Sequence, residues 1–117
     1  MTVVVNKTAD DLMTGLGNLY DAMVADYANF MVPDDDNRKK MNDDYANGLA
    51  YTFGRKYIKM IGNGSVKAFI VNTDNDKKFK KGDILKPAGY NAPARNKARG
   101  NIFDGNYPIN WTGPLYL

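Results

Sequence analysis

The sequence predicts an α+β domain, with an N-terminal two-helix portion and a C-terminal small antiparallel sheet or partly open β-barrel. Three observations predict it. Apolar residues recur at helical spacing through the first fifty positions; after Gly54 the period changes to two; and the charge changes sign at the same place. At 117 residues the chain is a single domain, divided into an acidic helical portion, 1–53, and a basic β portion, 54–117.

The elements follow in order. Met1–Val5 is β-branched and apolar, which fits an edge strand or an unordered start. Thr8 with Asp11 three residues on predicts a helix start. Leu12, Leu16, Leu19, Met23, Tyr27 and Phe30 then form one apolar stripe, with Gly15 and Gly17 weakening the helix and Pro33 ending it. Asp34, Asp35 and Asp36 suit the start of a second helix better than a metal site, since acids there offset the helix dipole. Met41, Tyr45, Leu49 and Phe53 carry its stripe, with Gly54 as the C-cap.

Tyr57–Ile61 and Ser65–Val71 flank Gly62-Asn63-Gly64, a hairpin signal. Asp74-Asn75-Asp76 lacks the central Gly and terminal Glu of a calcium loop. Phe79–Lys86 is expected as a strand entered through Gly82-Asp83. Asn101–Phe103 and Tyr107 bracket a second turn dipeptide, Asp104-Gly105, and Ile109–Thr112 is a last strand. Trp111, Phe69, Phe53 and Ile70 are expected in the core. The two helical stripes both need covering, and so small a β half leads us to expect a homo-oligomer, a dimer or higher.

Composition excludes whole chemistries. With no Cys and no His, there are no disulfides, no common zinc sites, no thiol nucleophile and no imidazole acid/base. Glu is absent as well, so every acid is Asp. No paired acid/base constellation stands out, and the expectation is a protein without catalytic residues, metal or cofactor. No apolar run approaches the ~20 residues of a membrane span, and the N-terminus lacks the form of a secretory signal.

The charge pattern points to a ligand. Residues 1–53 hold nine Asp against four Lys and Arg, a balance of −5. Residues 54–117 hold twelve Lys and Arg against four Asp, a balance of +8. Such a split suggests either a polyanion surface on the basic half or electrostatic pairing of the two halves. The segment 86–101 combines two Pro, two Gly and four cations with no acid. Its candidate ligand-binding residues are Lys86, Tyr90, Asn91, Arg95, Asn96, Arg99 and Asn101. Pro93 and Gly100 suggest a short helix that sets Arg95 and Arg99 on one side as a phosphate clamp, with Tyr90 as a stacking face. The alternative for this segment is a solvated connector. The other basic cluster, Lys77, Lys78, Lys80 and Lys81, fits protection of a β-edge.

The runs Gly54–Lys59, Phe79–Lys86, Ala92–Phe103 and Trp111–Leu117 resemble a family of small uncharacterised proteins of tailed bacteriophages, most specifically over Ala92–Phe103. The resemblance covers roughly residues 51–117 and brings no activity or site residues. It implies a phage accessory protein acting in the cytoplasm of an infected bacterial host. The expected function is non-enzymatic binding of an anionic ligand, a nucleic acid or host nucleotide signal, through 86–101. The alternatives are an inhibitor docked on an acidic host protein and a minor virion component.

Overall fold

A computed structural model describes residues 3–30 and 36–114 of the chain. The α+β class holds, with two helices, several antiparallel sheets and no closed barrel. Strand β1, Val3–Val5, is followed by helix α1, Leu12–Phe30. The N-cap of α1 is Asp11 rather than Thr8: its Oδ1 accepts the Thr14 amide at 2.8 Å, and the bonds from Thr14 hold the carboxyl below the usual carboxylate range. Leu16, Leu19 and Met23 of the expected stripe are fully buried, with Leu12 and Tyr27 packed beside them. Gly15 has a packing role, because a Cβ there would lie 3.0 Å from Ile102. The expected stop at Pro33 lies outside the described residues, as do Asp34 and Asp35.

Helix α2, Asp36–Gly48, is shorter than its apolar spacing predicts. Leu49 and Phe53 belong instead to strand β2, Leu49–Phe53, and Gly54 is in the turn after that strand rather than a helix cap. Pairing with β3, Tyr57–Gly62, over five residue pairs wins over the local helical period. The ring of Phe53 is therefore 54% exposed, not core. Strand β4, Ser65–Val71, completes the predicted hairpin. Its turn is Asn63-Gly64, both at positive φ (51° and 81°), the conformation that lets two strands close with their natural twist.

Order within the main sheet is β2-β3-β4-β5, with β5 limited to Ile84–Leu85. The expected long strand 79–86 is mostly turn, because Gly82 (φ 91°) and Asp83 bend back to bond Val71. Residues 99–102 then run beside β5, with Arg99 N–H donating to the Ile84 carbonyl and Ile84 N–H to the Gly100 carbonyl. A small hairpin pairs β6, Pro87–Gly89, with β7, Ala92–Pro93. There is no hairpin at Asp104-Gly105. Instead β8, Tyr107–Asn110, pairs with β1 from the other end of the chain, and with β9, Gly113–Pro114. Gly113 passes so close to β4 that a Cβ would lie 2.4 Å from the Lys67 carbonyl oxygen.

Two cores result. Between α1 and the sheets lie Leu16, Leu19, Met23, Ile58, Met60, Ile70, Ile84, Ile102, Tyr107 and Ile109. On the other face of the main sheet lie Phe69, Val71 and Leu85, covered by Phe79 and Ala98. Tyrosines tie the layers through their hydroxyls: Tyr20 donates to Ala46 O, Tyr51 to Leu16 O and Tyr45 to Trp111 O, at 2.6–2.8 Å. Tyr45 also stacks on Tyr27 at 4.2 Å, and Trp111, half-buried, meets both rings edge-on. Fully buried Asp26 accepts the Trp111 amide at 2.9 Å. Leu16, Leu19 and Met23 of the α1 stripe are thus covered within one chain.

Met23 is wholly enclosed between α1 and the sheets. Met23→Ala should lower stability by roughly 2–5 kcal/mol, the usual cost of emptying such a site. The check is a urea denaturation midpoint at unchanged slope. A loss within the range of an ordinary surface change would contradict α1 as the inner cover of the sheet.

Candidate anion-binding cleft

The chain brings four cations to one end of the main sheet. In an antiparallel meander the β2–β3 turn and the connection after β4 emerge at the same end. The first carries Arg55 and Lys56, and the second carries Thr73, Asn75, Asp76 and Lys77. Arg95 reaches them from the segment after β7. These residues line an open cleft of about 480 Å³. Thr73 Oγ1 accepts the Asn75 amide at 3.1 Å and shapes the turn.

Asp76 is the one carboxylate in the cleft lining, and it is committed. Both its oxygens accept from the Arg95 guanidinium at 2.9 Å, and its Oδ1 also accepts the amides of Lys78 and Phe79 at 2.9 and 3.0 Å. The bidentate bond to Arg95, then the two amides, hold the Asp76 carboxyl far below the usual carboxylate range. The same partner, with the Tyr57 hydroxyl, pushes Arg95 still higher. Arg95 also lies over the Phe79 ring, 5.0 Å from its centroid. The Asp76 side chain is only 2% exposed, whereas that of Arg95 is 39% exposed and lines the cleft. Arg55, Lys56 and Lys77 remain in the lining with no other lining carboxylate beside them, and exposed Asp74 lies in the same connection between Thr73 and Asn75.

The loop 86–101 is organised differently from the expected short helix. Residues 94–100 form none, and Arg95 and Arg99 do not make a clamp. Arg99 is 6% exposed, its side chain reaching Asn96 Oδ1. Lys86 donates to the Pro114 carbonyl at 2.8 Å, and burial, then the Arg99 charge, pulls its ammonium below the usual value. Asn101 is buried: its amide donates to Lys81 O and Asp83 Oδ1, and its Oδ1 accepts the amides of Phe103 and Asp104. Lys86, Arg99 and Asn101 fasten the loop rather than face a ligand. Tyr90 and Asn91 are exposed and both meet Lys59: its ammonium is 4.3 Å from the Tyr90 centroid and donates to Asn91 Oδ1 at 3.1 Å. Asn96 is exposed and accepts its neighbour's amide.

Of the residues expected to bind, only Arg95 lines the cleft. Arg55, Lys56, Thr73, Asn75, Asp76 and Lys77 escaped the sequence reading. The signal for them was topological, and it required 49–53 to be recognised as a strand. The lysine cluster also divides: Lys77 lines the cleft, Lys78 donates to Arg95 O, and Lys80 pairs with Asp104 at 2.9 Å. Among the described residues no acidic cluster is fit to hold a metal, and no helix is long and apolar enough to cross a membrane.

A family model matches residues 3–117, and the chain belongs to that family, a family of unknown function (DUF7717). No curated protein and no solved structure matches the chain.

The depressed carboxyl gives a pH signature. Because Asp76 ionises more readily folded than unfolded, its contribution is complete above the ordinary carboxylate pKa and is lost as pH falls through the lower folded value. The stability gap between the wild type and Asp76→Asn should hold from neutrality to about pH 5 and narrow below about pH 4. Urea midpoints across that range check it. A gap independent of pH would remove the ion pair from the account of the loop.

Proposed function

We propose that this protein is a non-enzymatic binder of a phosphate-bearing anion, held in the cleft of Arg55, Lys56, Lys77 and Arg95. The observation that carries this reading is the convergence of four cations from three chain segments on one concavity. Its single acid is already engaged by Arg95. Cations so gathered repel one another and cost stability unless an anion joins them. Arg95, held flat between Asp76, Tyr57 and Phe79, is pre-oriented to offer its remaining N–H donors to phosphate oxygens at little entropic cost.

Binding rather than catalysis is favoured by the state of Asp76. A carboxylate that accepts four hydrogen bonds and stays ionised is a poor general base. The resemblance of residues 51–117 to tailed-phage proteins is the ground for placing this role in an infected bacterium. An acidic partner protein is the rival occupant, and it would need a far larger surface than the cleft.

Thymidine 5′-monophosphate is a suitable probe, titrated into isotopically labelled protein. Amide signals of residues 54–56, 73–77 and 95 should move together, and a rise in salt should weaken the effect. Arg55→Ala with Lys77→Ala should weaken binding at least tenfold, since each charge-assisted bond is worth roughly 1.5–3 kcal/mol. Scattered shifts, or full binding by a folded double variant, would overturn the reading.

A further inference from the structure

A further open cleft lies at the other end of β3, and the inference drawn from the pair rests on the anion reading of the first. Strand β3 carries Tyr57 and Lys59 on the same face, two residues apart. Over Tyr57 sits the Arg95–Asp76 pair, because Arg95 bonds the Tyr57 hydroxyl. Over Lys59 sit Tyr90 and Asn91. Beyond them, at the β3–β4 turn, a second open cleft of about 370 Å³ is lined by Gly64, Ser65, Val66, Pro87, Gly89 and Tyr90. The track follows β3 between the two clefts, and β3 spans about 17 Å from Tyr57 to Gly62 at the usual strand rise.

Its chemistry changes along the way. The Arg55 end is cationic and the middle offers an ammonium and an amide. The far end is uncharged and largely apolar, and is bordered by a flat ring that is 55% exposed. We infer that the track holds a short single-stranded nucleic acid, with backbone phosphates in the cationic cleft and at Lys59 and a base against Tyr90 in the apolar cleft. The order of chemistries matches that ligand: charge for the backbone, then a platform and an apolar recess for a base. A duplex keeps its bases stacked inside and cannot offer one to Tyr90. Lys59 serves both parts, since its ammonium faces the ring from 4.3 Å while bonding Asn91, which fixes the platform before the ligand arrives.

The experiment compares thymidine 5′-monophosphate, a thymidine tetranucleotide and a duplex long enough to stay paired, by fluorescence anisotropy with the mononucleotide as competitor. The tetranucleotide should bind at least tenfold more tightly than the mononucleotide and more tightly than the duplex. Tyr90→Ala should weaken the tetranucleotide roughly five- to hundredfold, the loss typical of a removed stacking ring, and leave the mononucleotide unchanged. Tyr90→Phe should keep full affinity, because the ring face and not the hydroxyl makes the contact. Suppose the mononucleotide occupies the cleft but the tetranucleotide binds no tighter, or Tyr90→Ala has no effect on it. The track then falls while the cleft stands. A preference for the duplex has the same meaning. If no probe binds, both readings fall.

Discussion

The β3–β4 hairpin is apolar on both faces, and the rest of the molecule is arranged to keep water from each. Ile58, Met60 and Ile70 point to one side, and Phe69 and Val71 to the other. A helix can cover one face at a stroke, and α1 does so with three fully buried side chains. No second helix is available for the opposite face, where Phe79, Ala98 and the irregular chain between them do the covering. A sheet buried on both sides by unlike layers explains why so short a domain contains so much ordered chain outside helices and strands.

An irregular cover needs fasteners, because ordering backbone costs roughly 1–2 kcal/mol per residue. The loop has one about every few residues. Lys86 reaches Pro114, Asn91 meets Lys59, Arg95 grips Asp76, Arg99 is buried, and Asn101 ties Asp83 to Phe103. Arg95 is the fastener closest to solvent and faces the cleft. Its guanidinium therefore serves the fold through Asp76, Tyr57 and Phe79 while remaining part of the lining beside the other cations. The cleft is a by-product of how the second face is closed, and its rigidity comes from that closure.

This division also decides what the sequence discloses. The α1 stripe, the Asn63-Gly64 turn and the α+β class are local signals, written in spacing and turn chemistry, and the structure follows them. Leu49 and Phe53 continue a helical spacing from Met41 and Tyr45, yet lie in a strand, because their fate is set by β3 and not by their neighbours. Arg95 and Arg99 look like a matched pair at helical spacing. One is claimed by Asp76, nineteen residues upstream, and the other by the interior. Cation density marked the basic half as the place to look, and the cation-lined cleft lies in that half. Which cations share a concavity depends on strand order, and strand order is not encoded in charge.

The pairing of β1 with β8 joins Val3–Val5 to Tyr107–Asn110, segments from opposite ends of the chain. Strands joined across such a distance close late, since loop entropy must be met before the contacts form. During synthesis β1 and α1 leave the ribosome well before the residues that meet them, Ile102 against Gly15 and Ile109 against Val3. Until those residues emerge, the apolar stripe of α1 is without that cover and open to chaperones or to other nascent chains. The native packing of α1 waits on the stretch from Ile102 to Ile109, so a ribosome stalled before that stretch would display a helix without its cover.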